Sequence, residues 1–243
     1  RYTNAATLRR MLSTATAAAG ATLRARMRVT TGGRWGVVLT NAAGTTIGQI
    51  DCSVLTPGRL YHGLLSLDLS DTAKRHIYIN DVSDISLITT YTNDTIDFTL
   101  GDWSVGANPG GTEPYLGEMA ELWFAPGVYI DFSIEANRRK FIDAAGKPVD
   151  LGAAGATPTG TAPRIYLSGA ISTWHSNDGT GGGFTLHGAL SEGLFGTGPA
   201  KCFNCLSTCQ DIANFVDSTE TIRFAKPASY LPRDIDIVGP WIK

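Results

Sequence analysis

Charge is scarce in this 243-residue chain: 17% of its residues are Asp, Glu, Lys or Arg, and the net charge is −2. No acidic residue occurs before Asp51, whereas that first segment holds seven arginines. The remainder therefore carries 13 basic against 22 acidic residues. A basic segment of this kind can dock on an acidic neighbour or on nucleic acid. A solvated sheet face accounts for it more simply, and nucleic acid is not the partner expected. Long apolar runs are missing too, and none approaches the roughly 20 residues needed to cross a bilayer as a helix, so no membrane is expected. No Ser-His-Asp order, HExxH pair or Walker-type loop is present. What the chain does have is turn chemistry, 28 glycines and 11 prolines alongside 43% hydrophobic residues. That balance suits one sizeable core built from many short strands with tight turns.

Hydrophobic spacing divides the chain. Asn4 to Ala19 is predicted as a helix, with Asn4 as cap, Leu8, Met11, Leu12 and Ala15 in a stripe, and Gly20 closing it. From Ala21 the period falls to two. Leu23, Ala25, Met27 and Val29 alternate with Arg24, Arg26, Arg28 and Thr30, a half-buried strand. Gly32-Gly33 turns it into Trp35 to Thr40, and Asn41 to Gly44 leads to a strand over Thr45 to Val54, with Ile50, Cys52 and Val54 on one side. Further strands are expected around Ile85, Leu87 and Phe98, at 103–106, 116–124, 164–168 and 184–186. A short helix is expected to open at Ser133, with Glu135 in its first turn. Beyond Leu190 a glycine-rich linker precedes a helical spacing of Cys202, Cys205, Leu206, Cys209, Ile212, Ala213 and Val216. An extended arm follows from Arg223, carrying Pro227, Pro232 and Pro240 and ending in Trp241-Ile242. The expected division is residues 1–20 as a helical segment, 21–190 as a sandwich domain, and 191–243 as linker, helix and arm. A small domain does not usually leave such an arm in water, so both ends are expected to grip neighbouring subunits in an oligomer.

The stretch Trp103 to Ile142 carries a resemblance. Its order V-G-x-x-P-G-G-x-x-x-x-x-G-E-hydrophobic-x-E resembles the end of a laminin-G-like, concanavalin A-type jelly-roll domain. His62-Gly63-Leu64-Leu65-Ser66-Leu67-Asp68 and Arg75-His76-Ile77-Tyr78-Ile79-Asn80-Asp81 are similar to two upstream strands of that family. Tyr61 stands where the family has tryptophan, and Asp81 where it has a turn glycine. A narrower resemblance covers Glu135 to Gly152, Thr157 to Pro163 and Asn177 to Thr185, which are similar to a block of phage and prophage structural proteins. Together these imply an all-β, two-sheet antiparallel jelly-roll sandwich with short peripheral helices and a C-terminal arm. They also imply a virion location, other virion subunits as partners, and an exposed module for adhesion to a host-surface glycan or for decoration of the particle.

Candidate sites follow from residue chemistry. Sugar binding needs an aromatic platform beside planar polar groups. Asn108, Glu113 and Tyr115 offer one such set, and Trp174, His175, Asn177 and Asp178 a second. Either can equally be a loop plugging the core. Glu118 and Glu121 suggest a glycosidase pair, but retaining chemistry needs carboxyls about 5 Å apart in one cleft. Positions i and i+3 on a regular strand face opposite ways, and only a bulge would join them. No catalytic residue is therefore assigned, and a carbohydrate-active hydrolase or a stand-alone carbohydrate-binding module stays as the alternative. Cys202, Cys205 and Cys209 with His187 or His175 suggest zinc, yet all three cysteines fall on an apolar stripe where buried thiols are expected. Asn80, Asp81 and Asp84 suggest calcium, against the plainer reading of a polar hairpin turn. Neither zinc nor calcium is favoured, and no cofactor is expected. The glycines at 179, 181, 182 and 183 lead into Phe184, so a phosphate cradle opening a helix is excluded. Asn93-Asp94-Thr95 matches a glycosylation acceptor by accident.

Overall fold

The computed structural model describes residues 8–15, 23–96, 98, 102–192 and 203–204. In chain order these form β1 (Arg9–Ala15), β2 (Leu23–Val29), β3 (Arg34–Thr40), β4 (Thr46–Val54), β5 (Gly63–Leu67), β6 (Arg75–Ile79), β7 (Val82–Ser83) and β8 (Leu87–Tyr91). Then come β9 (Asp102–Val105), β10 (Glu118–Met119), β11 (Leu122–Phe124), α1 (Glu135–Arg138), β12 (Ile165–Leu167), β13 (Ser191–Glu192) and β14 (Phe203–Asn204). The largest sheet has the order β8-β4-β3-β2-β1-β9, and three smaller ones are β5-β6-β7, β11-β12 and β10-β14-β13. Every pairing between these strands is antiparallel. The protein is all-β.

Several expectations need correction. The N-terminal helix is not formed. Residues 9–15 are β1, paired between β2 and β9, while 4–7 and 16–19 lie outside the described residues. The reason is a bulge between Arg10 and Leu12. Arg10 pairs with Arg28 and Leu12 with Met27, so one extra residue moves the apolar positions off strict alternation and imitates helical spacing. The strand expected over Leu116 to Phe124 is broken in the same way, because Glu121 sits at φ +49. That kink sends β10 to β14 and β11 to β12. Ser133 does not cap α1: Ile134 precedes the helix without a side-chain cap, and Ser133 Oγ donates to Asp131 Oδ1. Phe184 to Leu186 is loop rather than strand, with Phe184 packed on the core. The linker after Glu192, Cys202, Cys205, Cys209 and the arm from Arg223 lie outside the described residues.

The core joins the sheets. Leu12, Val29, Trp35, Ile50 and Cys52 of the six-stranded sheet share one apolar cluster with Ile77 and Ile79 of β6 and with Leu122, Ile165 and Leu167. A second cluster, Phe132, Phe141, Leu151, Tyr166 and Leu64, seats the irregular segment after β11. Val54, expected on the Ile50 and Cys52 face, is exposed beyond a bulge in the β3–β4 ladder.

The opposite face of the six-stranded sheet is not the solvated arginine face that alternation suggests. Arg10, Arg24 and Arg28 are 5%, 6% and 5% exposed. Arg28 makes a two-pronged bond to Asp51 at 2.7 and 3.2 Å, with both side chains buried. Gly36 lies beneath that carboxylate, and a Cβ there would collide with Asp51 and with the Ile50 carbonyl. Arg24 donates to the Asn41 and Ala42 carbonyls at 2.5 and 3.1 Å, and Arg10 to Glu113 at 2.6 Å. Arg26 is pushed down to about 10 by burial and then by Arg10 and Arg28 beside it. Charges this deep are tolerated only when paired.

Candidate functional site

The loop after β9 is fastened from within. Asn108 Oδ1 accepts from the Thr112 amide at 2.8 Å, and its Nδ2 donates to Thr112 Oγ1 at 2.5 Å. Glu113, at φ +54, turns its carboxylate onto Arg10 and its carbonyl onto the Arg10 amide. Tyr115 is 3% exposed inside the core. These three residues form the loop plug, and the ring offers no open platform.

The second set behaves alike. Trp174 is 3% exposed and packs in the main core. Asn177 uses its whole amide group: Oδ1 accepts from the Tyr166 and Gly179 amides at 2.8 and 3.0 Å, and Nδ2 donates to the Arg164 and Gly182 carbonyls at 3.0 and 3.3 Å. The Asp178 amide returns to the Tyr166 carbonyl at 2.9 Å, leaving the Asp178 side chain exposed. His175 is partly buried. Gly179 and Gly181 serve close approach, since a Cβ on them would sit 2.6 Å from the Pro163 and 2.8 Å from the Arg164 carbonyl oxygen. The amides of Thr180 and Gly181 donate to the carbonyls of Pro163 and Arg164, which occupies donors that a phosphate would need.

Asn80 and Asp81, at φ +51 and +68, form the two-residue turn between β6 and β7. Their oxygens and that of Asp84 diverge. Asn80 Oδ1 accepts from the His62 amide, Asp84 Oδ1 from Ser53, and Asp81 takes Arg138 at 2.5 Å and Arg139 at 2.8 Å. Hydrogen bonding from Arg139, then Arg138, holds the Asp81 carboxyl below its ordinary range. Arg138 also stacks 4.6 Å over Tyr78 and donates to the Phe132 carbonyl. Among the described residues no three metal-ligating side chains converge. The zinc set falls outside them apart from His175 and an exposed His187. Cys52 is buried, and burial pushes its thiol up to about 11.

The kink at Glu121 borders a hollow with several polar side chains on its wall. Glu121, Asp150, Tyr166, Ser168 and Gly169 line a cavity of about 380 Å3. Tyr166 donates to Glu121 Oε2 at 2.9 Å. Burial raises the Glu121 pKa, Asp150 and Asp178 add to the rise, and the Tyr166 hydrogen bond opposes it. Burial likewise raises the Tyr166 phenol. Glu118 is buried on β10, before the kink. Sequence reasoning named Glu121 only in a glycosidase pair that it set aside, and missed Asp150, Tyr166 and Ser168. The i, i+2 pattern of β12 gives no sign of what lies across from it; Asp150, in the phage-like block, was the only available hint.

Comparison with protein-family models, with curated proteins and with solved structures returns no match for this chain.

Proposed function

We propose that the chain is a non-enzymatic structural protein of a phage or prophage particle, folded as a concanavalin A-like jelly roll and used for adhesion or decoration. One observation supports this best: the residues that resemble such proteins are committed to fastening a rim. Arg138 and Arg139 clamp the Asn80-Asp81 turn, and Asn177 pins its loop to β12. Loops made rigid in this way suit a surface that must hold one shape on an exposed particle. The apolar C-terminal segment from Arg223 then binds the body into an oligomeric assembly, whereas β1 of the N-terminal segment is used within the chain's own sheet. The test uses the labelled full chain on intact bacterial cells and on a glycan array, with its oligomeric state measured in parallel. Saturable binding that survives high salt, by an oligomer that a deletion of Arg223 to Lys243 disperses, is the expected result. A monomer that binds neither cells nor glycans would overturn the reading.

Glu121 favours a second reading, a carbohydrate-active hydrolase. Burial raises the Glu121 carboxyl, which is the direction a general acid needs. Polysaccharide cleavage that Glu121→Gln abolishes would establish it, and no cleavage across a polysaccharide panel would remove it.

A further inference from the structure

The hollow beside Glu121 opens from a buried floor to solvent. Tyr166 is buried, Glu121 and Ser168 are half-buried, and Asp150 and Gly169 stand exposed at the rim. At about 380 Å3 it lies at the small end of ligand pockets, which run from about 300 to 1,000 Å3, so it suits one ring-sized group. Glu121 holds φ +49, a backbone that residues other than glycine rarely adopt, and its Oε2 accepts from Tyr166 at 2.9 Å. Asp150 Oδ1 accepts from the Gly152 amide at 2.8 Å. Among the described residues nothing donates to the other oxygen of either carboxylate. Ser168 adds a hydroxyl beside the Tyr166 phenol, and no basic side chain lines the hollow among the described residues. The free acceptors are spread rather than gathered, since no three metal-ligating side chains converge among the described residues. Separated acceptors suit several hydroxyl donors carried on one ring, whereas a compact cation needs its oxygens close together.

We propose that this hollow binds one neutral hexopyranose unit, two of whose hydroxyls donate to Glu121 Oε1 and Asp150 Oδ2. Ser168 Oγ offers a donor to a third sugar oxygen. Val149 gives the C–H groups of the ring a small apolar surface. Neutrality follows from the wall. The carboxylate of a uronic or sialic acid would meet Glu121 and Asp150 with no cation beside them to offset the repulsion. The choice of a sugar as the ligand rests on the adhesion reading, whereas the hollow and its free acceptors stand without it.

Calorimetric titration of the full chain at pH 7 with the methyl glycosides of glucose, galactose and mannose tests it. At least one should bind saturably at one per chain. Its uronide, with a carboxylate in place of the outer CH2OH, should bind at least tenfold more weakly, and ethylammonium should not compete. Asp150→Asn keeps Oδ1 for the Gly152 amide and turns the free oxygen into a donor, and Glu121→Gln keeps an acceptor for Tyr166. Each should weaken the glycoside about fivefold, the loss of one hydrogen bond. Asp150 is exposed, which keeps the test decisive if Glu121→Gln does not fold. Absence of saturation by all three glycosides, an equally tight uronide or displacement by ethylammonium would overturn the proposal. So would unchanged affinity in either variant that retains the wild-type circular dichroism. Cell binding, measured alongside, separates the two readings: glycoside binding without it keeps the hollow's ligand and overturns adhesion, and cell binding without glycoside binding does the reverse.

Discussion

Two stretches of this molecule are held by different physics. Residues 23–54 with 63–91 are strands in antiparallel ladders, where main-chain bonds alternate with side chains that face the core or the buried arginine layer. Residues 125–185 contain one four-residue helix and one three-residue strand, yet carry Phe132, Phe141, Ile142, Leu151 and Tyr166 as core. There side-chain bonds to backbone reinforce isolated main-chain turn bonds in place of a ladder. Asp131, Asp143, Asp150 and Asn177 each accept from the amide two residues on. Trp123 Nε1 donates to the Gly155 carbonyl at 2.8 Å. A ladder spreads its stability over many equivalent bonds, whereas a pinned loop concentrates it in a few residues. Single substitutions should therefore have local effects in the second stretch and global ones in the first.

The largest effect is expected where the first stretch breaks this pattern. Asp51→Ala strands the buried Arg28 guanidinium and should cost about 3 to 5 kcal/mol, read as loss of cooperative unfolding at the wild-type temperature. The double change Arg28→Met with Asp51→Leu should recover most of that loss. If it does not, the pair is doing more than neutralising itself.

Next comes the pin of the second stretch. Asn177→Ala removes four hydrogen bonds, and a cost of about 2 to 4 kcal/mol follows from about 1 kcal/mol for each. Hydrogen exchange should quicken across residues 163–185 while β3 and β4 stay protected. Uniform quickening would erase the proposed contrast.

Gly155→Ala is smaller. The site combines φ +68 with a Tyr166 ring carbon 2.7 Å from the added methyl. A cost of about 1 to 3 kcal/mol is expected by thermal unfolding.

The last effects are those of pH, and they have different origins at two groups beside the β5–β6–β7 sheet. His62, just before β5, falls from 6.5 to about 4 on folding, so the unfolded chain takes up its proton first. Stability should decline as pH falls from 6.5, the decline ending near 4, and His62→Gln should flatten that limb. Asp81, which ties the β6–β7 turn to α1, has a folded value below its ordinary 3.8. Its contribution is present above pH 3.8 and is lost as pH falls through the folded value, so Asp81→Asn should flatten only the most acid limb.

Much of the ladder region was legible. Alternation from Leu23 to Val29 and the Gly32-Gly33 and Asn41 to Gly44 turns follow from period-two spacing and turn chemistry, and the strands at 63–67 and 75–79 lie where the family resemblance implied them. Where a bulge or a positive φ intervened, at Met11 and Glu121, the same rule misled, because one added residue shifts every later side chain to the other face. The candidate ligand residues illustrate a second limit. Asn108, Tyr115, Trp174 and Asn177 were singled out as planar polar and aromatic groups. Those properties serve equally well for bonding a loop to its own backbone or filling a core.

By itself the sequence determined the all-β character, the positions of most tight turns and the apolar face of the first sheet. These depend on neighbours along the chain, through local sterics and periodicity. Only the tertiary structure decided that the arginine face is buried, that Arg138 and Arg139 close on Asp81, and that Tyr166 meets Glu121. Each of those pairs is separated by tens of residues in the chain, and no local preference encodes which distant side chain will arrive to share or neutralise a buried polar group.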